Sequence, residues 1–260
     1  MYELIDKLSI WMPYYLLVFL RLSAMVTTMP ILGYATVNAR IRIMLAFILT
    51  IIIAPLLGSH TMVEITSVLQ LFVLGMKEIF IGLIIGFGAR LIFEGFSMAG
   101  AFIGLQMGMA IMNVFDPTQQ QQQQPIISQF WLFIMIIFFL VTNSHYFLIE
   151  TLYQNFSIIH LTKGEFTPQL GQTIIQGGSL IYEMALKYAA PAMIFLLIVD
   201  ISLSFVARVM PQMNIFFVSL PLKISVGIIV LIISLRIFQV LFSYIYNELE
   251  GYVYSVIKTI

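Results

Sequence analysis

The sequence has no cysteine and very few charged residues. Without cysteine, the chain can form no disulfide and has no thiolate to act as a nucleophile or metal ligand. Charged residues make up 9% of the chain, with 12 basic and 12 acidic side chains scattered along it, so no basic patch indicates nucleic-acid binding. The histidines are His60, His145 and His160, without ligand spacing. The sequence therefore predicts no cofactor, no metal and no enzyme, with Asp200 and His145 as a remaining proton-transfer alternative.

Apolar residues, in contrast, are abundant. They make up 61% of the chain and its mean hydropathy is +1.03, whereas a soluble domain is about 45–50% apolar. Residues 43–63 and 117–149 carry no Asp, Glu, Lys or Arg, and about 20 apolar residues suffice to cross a bilayer. Since unpaired backbone groups are costly in lipid, we predict an all-α membrane protein.

Apolar runs separated by proline and glycine define seven predicted helical segments. They cover residues 8–29, 41–57, 68–89, 97–112, 126–149, 182–206 and 215–246. Lys and Arg are distributed too evenly between the intervening loops to fix an orientation.

Several charged residues lie within or beside these segments, where charge is expensive in lipid. We single out five as buried polar groups or subunit contacts: Arg21, Lys187, Asp200, Arg208 and Lys223. Arg21 and Asp200 lie deep in their segments, so we expect buried partners for them, on this chain or on another subunit. A simpler interpretation applies to Lys187, which follows Glu183 at the spacing of a helical ion pair.

Gly100, Gly104 and Gly108 repeat every fourth residue. This spacing places them on one helical face and lets a neighbouring backbone approach closely. The alternative is packing that is generic to membrane helices.

Short motifs along the whole chain resemble the family of FliR, the flagellar export-gate protein, and its injectisome relative SctT. They are GLQMG at 104–108, FDP at 115–117, NSH at 143–145, AR at 207–208, PQMNIF at 211–216 and PLK at 221–223. Two features depart from the family pattern. NSH replaces NGH, and a run of glutamine follows FDP.

The resemblance implies a fold of stacked helical hairpins. A FliP-like part, about residues 1–180, would be followed by a FliQ-like hairpin and tail, about 181–260, in one FliR-type unit. It also implies a pore-forming subunit in the bacterial inner membrane, within the flagellar basal body. Its partners would be FliP, FliQ, FlhB, membrane lipid and exported unfolded flagellar proteins. The alternatives are an injectisome homologue and a stand-alone carrier or channel for small solutes, although no internal repeat supports a carrier.

The resemblance also points to a pore plug in the segment 106–125. Soft apolar side chains can seal a pore by excluding water, and a proline-bounded polar loop has little apolar area to fix it. The predicted plug residues are Gln106, Met107, Met109, Met112, Phe115, Asp116 and Pro117. The alternative is a surface loop, in which the six glutamines have no role of their own.

Overall fold

The computed structural model describes residues 2–57, 67–109 and 125–260. Seven helices lie within these residues: α1 Tyr2–Thr28, α2 Ala39–Leu56, α3 Val68–Gln106, α4 Ile126–Val141, α5 His145–Ile158, α6 Pro168–Val209 and α7 Ile215–Thr259. The all-α prediction is confirmed for the described part of the chain.

Four of these helices contain stretches long and apolar enough to cross a membrane. The candidate spans are Ala39–Leu56, Val68–Gln106, Pro168–Val209 and Ile215–Arg236. Helices α4 and α5 qualify only as a pair, and they are bent by 76° relative to each other. The described residues therefore form a helical membrane protein with several spans.

Two predicted boundaries were wrong. Helix α3 continues without a break from the segment 68–89 into the segment 97–112 and ends at Gln106 after 39 residues, because the residues between the two segments include good helix formers such as Arg90, Leu91 and Glu94. Conversely, the predicted segment 126–149 is broken after Val141. Asn143 adopts a left-handed φ of 58° at this break, a conformation that asparagine tolerates better than most residues.

The chain divides into two compact units, each built from separate parts of the sequence. Unit 1 comprises Met1–Leu91, Asn143–Gly177 and Glu248–Ile260, and unit 2 comprises Ile92–Thr142 and Gly178–Asn247. The division into a FliP-like part and a FliQ-like part was drawn along the sequence, and it stays a prediction.

Within unit 1, α1 packs against both α2 and α3. The Tyr14 hydroxyl donates a hydrogen bond to the Ala54 carbonyl at 2.9 Å. Gly82 and Gly86 allow a close approach of α1 and α3, since an added Cβ would lie 2.4 Å from the Arg21 carbonyl oxygen at Gly82 and 2.8 Å from the Met25 carbonyl oxygen at Gly86. The spacing of Gly82 and Gly86 thus serves packing within this chain.

The core of unit 2 contains a cluster of aromatic rings. Phe238 on α7 lies at its centre, with ring centroids 5.2 Å from Phe96, 5.7 Å from Trp131 and 4.9 Å from Phe138. These rings come from α3, α4 and α7, so the cluster joins three helices that are distant in sequence. Aromatic pairs at such distances contribute beyond the area that they bury.

Candidate functional site

Arg21 is completely buried in unit 1 and is paired with Glu78, which is also completely buried. Its Nε donates to Glu78 Oε2 at 2.5 Å, and its Nη1 donates to Asn155 Oδ1 at 3.2 Å and to the Ile159 carbonyl at 2.8 Å. The guanidinium also lies 4.5 Å from the centre of the Phe156 ring. The structure thus provides partners for Arg21 within its own chain.

Glu78 connects this ion pair to the turn after α5. Its second carboxylate oxygen accepts a hydrogen bond from the Thr162 amide at 2.7 Å, while the neighbouring Lys77 donates to the Thr162 carbonyl at 3.1 Å. Thr162 has a φ of 68°, a conformation that is uncommon for a β-branched residue. We call Arg21, Glu78, Asn155 and Thr162 the buried cluster.

Asp200 is the centre of a second polar group, in unit 2. One carboxylate oxygen accepts a hydrogen bond from Gln106 Nε2 at 3.1 Å, and the other forms an ion pair with Lys223. The three side chains come from α6, α3 and α7. Three predicted site residues are thereby brought together, and Asp200 has partners within this chain.

Helix α3 ends beside Asp200 in a glycine-capped turn. The Gly108 amide donates to the Leu105 carbonyl and the Met109 amide donates to the Gly104 carbonyl, both at 3.0 Å. Gly108 has a φ of 78°, as this type of helix end requires. Since Gly108 lies beyond the helix, the predicted three-glycine face contains only two helical glycines.

The other two glycines differ in how closely they are packed. A Cβ at Gly100 would lie 2.5 Å from the Cα of Ser128 and 2.7 Å from the Ile127 carbonyl oxygen, so α4 approaches α3 closely at this position. A Cβ at Gly104 would make ordinary contacts of 3.6 Å and more. Of the two, only Gly100 therefore requires glycine for space.

Met107 is fully buried. Its side chain lies against Gly227 on α7, where an added Cβ would come within 2.6 Å of the methionine methyl group. Gln106 and Met109 are partly exposed. The other predicted plug residues, Met112, Phe115, Asp116 and Pro117, lie outside the described residues.

Lys187 and Arg208 are exposed rather than buried. Lys187 pairs with Glu183 at 2.7 Å, one helical turn away, with side-chain exposures of 53% and 57%. The simpler interpretation of that pair is the correct one within this chain. Arg208 lies in the last turn of α6 and makes no ion pair within the described residues.

A groove of about 330 Å³ runs beside Gln106 in unit 2. Its other lining residues come from one face of α6: Leu186, Ala190, Met193, Ile194, Leu197 and Ile198. Because Gln106 is the only polar lining residue, the groove offers an apolar surface rather than a site for a polar substrate. Within the part of the chain that the structure describes, no group of three or more His, Asp or Glu side chains could hold a metal ion.

Sequence reasoning missed Asn155, Thr162 and Gly227 as site residues. The partners of Arg21 are separated from it by 57 to 138 positions, so nothing local indicated which of them would meet. Glu78 was recognisable as a charge within an apolar segment.

Comparisons with known proteins match this chain along most of its length. A family model described as "Bacterial export proteins, family 1" matches residues 12–249. The flagellar biosynthetic protein FliR of Bacillus subtilis is 35% identical over 240 residues, covering 90% of this chain and 91% of that protein. FliR of Pectobacterium carotovorum is 29% identical over 238 residues (92% and 90% of the two chains), and FliR of Escherichia coli is 28% identical over 248 residues (95% and 94%). The chain therefore belongs to the FliR family of bacterial export proteins.

Proposed function

We propose that this chain is the FliR-type subunit of a flagellar protein export gate in the bacterial inner membrane. In this role it assembles with FliP and FliQ, adjoins FlhB, and forms part of the pore through which unfolded flagellar proteins pass. The match to flagellar FliR proteins over about 90% of both chains is the observation that carries the proposal, and it favours the flagellar branch over an injectisome.

The described helices support a role in assembly. In the four candidate spans, only 17–28% of the residues in the most apolar window are buried within the chain. Large apolar side chains such as Phe195 and Phe217 remain exposed. Lipid and neighbouring helical subunits are the two surroundings that would cover such faces in a membrane.

The C-terminal helices support a FliQ-like hairpin. Helices α6 and α7 are joined by the short segment from Met210 to Asn214. The ion pair between Asp200 and Lys223 links them within unit 2. We propose that this pair of helices takes the place of one FliQ subunit and offers its outer face to the next.

Co-purification tests the assembly proposal. The tagged chain, produced with FliP and FliQ and extracted in detergent, should retain both proteins through affinity purification and gel filtration. The matched comparison adds FlhB to this co-expression. Because FlhB is proposed only to adjoin the complex, its presence should leave the recovery of FliP and FliQ unchanged. A chain that runs alone or as a homo-oligomer would contradict the proposal and favour a stand-alone carrier.

We further propose that the segment after α3 closes the idle pore. Met109, Met112 and Phe115 supply soft apolar side chains, whereas Met107 serves as an anchor because its side chain is buried against Gly227. Asp116 and the following residues supply a polar connection. Hydrophobic constrictions of this kind close a pore by excluding water.

Two deletions separate the plug from a surface loop. Removal of residues 113–124 from an assembled gate should increase ion leakage and sensitivity to small toxic solutes, while FliP and FliQ stay bound. Removal of only the glutamine run, 119–124, leaves Met112, Phe115, Asp116 and Pro117 and should keep the membrane tight. A tight membrane after the longer deletion, with assembly intact, would contradict the plug.

A further inference from the structure

The end of α3 is held by a polar contact with both C-terminal helices. Gln106, the last residue of α3, donates to one oxygen of Asp200 on α6 at 3.1 Å. The other oxygen of Asp200 binds Lys223 on α7. Because Asp200 uses a different oxygen for each partner, it can hold both at the same time.

A steric contact holds the next residue of the chain. The Met107 side chain is fully buried, and its Cε, Sδ and Cγ atoms would lie 2.6 to 2.8 Å from a Cβ at Gly227. Gly227 follows Lys223 by four residues in α7, so both lie on the same face of that helix. The absence of a side chain at Gly227 thus creates a socket for Met107.

The contact between Asp200 and Lys223 is weak enough to break and re-form. The side chains of Lys223 and Asp200 are 20% and 36% exposed, and ion pairs that reach solvent contribute little to stability. The buried cluster differs in this respect, since Arg21 and Glu78 are both completely buried. The buried cluster is therefore suited to holding helices in fixed positions. The contact of Asp200 is suited to holding the end of α3 in a way that can change.

We propose that Asp200 and Gly227 are positioning residues that couple the α6–α7 pair to the turn 107–109 at the end of α3. A movement of α6 or α7 would be transmitted through Gln106 and Met107 to this turn. The consequence for the pore rests on the proposed function. The contacts themselves lie within one chain.

The lack of native cysteine allows a direct test. In a Met109→Cys background, the rate at which a maleimide reagent labels the introduced thiol reports how firmly the turn is held. Gln106→Leu and Lys223→Met should each raise that rate about fivefold, because each removes one partner of Asp200. Gly227→Ala should raise it as well, because Met107 must leave its socket.

Two controls isolate the contact. Glu183→Gln breaks the exposed ion pair on the same helix and should leave the labelling rate unchanged. Lys223→Arg keeps the positive charge beside Asp200, so its labelling rate should equal that of the Met109→Cys parent. The turn would be independent of the hairpin if both Gln106→Leu and Gly227→Ala labelled at the parent rate, and that result would overturn the proposal.

The labelling is measured on the full chain in detergent and on complexes purified with FliP and FliQ. If the parent chain fails to assemble with these proteins, the proposed function is contradicted. The labelling rates of the chain in detergent still decide whether the contact positions the turn. The two proposals therefore fail separately.

Discussion

At the residue scale, three ion pairs in the described part of the chain differ in how far they are removed from water. Arg21 and Glu78 are inaccessible to solvent, Lys223 and Asp200 are partly exposed, and Lys187 and Glu183 are more than half exposed. Loss of one partner from a buried pair leaves a charge without compensation, whereas an exposed charge regains its water. Only the buried pair is therefore expected to affect stability strongly.

Arg21→Met should lower the free energy of unfolding by about 3–5 kcal/mol, because Glu78 then stays buried without its cation. The double variant Arg21→Met with Glu78→Leu should lose less than the sum of the two single variants. Lys187→Met is the control, with an expected change of less than about 0.5 kcal/mol. Thermal unfolding in detergent measures all four. Equal losses for Arg21→Met and Lys187→Met would contradict the role of the buried cluster.

Thr162 carries backbone strain that glycine would relieve. A β-branched residue at a φ of 68° costs about 1–3 kcal/mol, and glycine adopts this region freely. The Thr162 contacts with Glu78 and Lys77 use backbone atoms, so Thr162→Gly should keep them. We expect it to raise the unfolding temperature slightly, while Thr162→Ala, which keeps a Cβ, should not. A lower melting temperature for the glycine variant would show that the turn needs the threonine side chain.

At the scale of elements, the helices were predictable but several of their ends were not. Apolar runs indicated the described helices because lipid favours helices, except that α5 was not predicted as a separate helix. The predicted end at Ala89 was wrong because Arg90 and Glu94, which follow it, are good helix formers and do not interrupt a helix. The break at Asn143 was missed because no proline or glycine marks it. A left-handed asparagine is set by its surroundings as much as by its own preference.

The site was predictable only as a set of separate residues. Asp200, Lys223 and Gln106 were each identified from the sequence, but their contact joins residues up to 117 positions apart because α3, α6 and α7 meet. The burial of Met107 against α7 was not predictable, since methionine composition says nothing about which side of a turn is covered. Gly227 gave no signal because a lone glycine in a helix acquires meaning only from what lies against it.

The two helical glycines of α3 offer a matched pair of substitutions. Gly100→Ala places a Cβ 2.5 Å from the Cα of Ser128, so α4 must move and stability should fall by about 1–3 kcal/mol. Gly104→Ala meets ordinary contacts and should gain up to about 1 kcal/mol of helix propensity. Comparison of their melting temperatures in detergent checks both. Equal melting temperatures would mean that α3 and α4 are not closely packed at Gly100.

At the scale of the whole molecule, the charges divide into those used within the chain and those left for other surfaces. Arg21, Asp200 and Lys223 have partners on other helices of the same chain. Lys187 is engaged by Glu183 and lies 5.5 Å from the Tyr244 ring centre. Arg208 makes no ion pair within the described residues and stands exposed among apolar side chains such as Phe205 and Val209. It is therefore the best-placed of the five predicted charges to contact another subunit.

Arg208→Glu should consequently reduce the amount of FliQ that co-purifies with the chain by about tenfold, which corresponds to about 1.4 kcal/mol. FliP recovery should stay unchanged, since the proposed FliQ-like hairpin, and not the rest of the chain, carries Arg208. Reversal also removes a favourable charge from the end of α6, so Arg208→Gln is needed as a neutral comparison, with a smaller loss of FliQ. Lys187→Gln should leave FliQ recovery unchanged, because that ammonium already has its partner. Normal FliQ occupancy with Arg208→Glu would show that the adjoining subunit does not use this end of the helix.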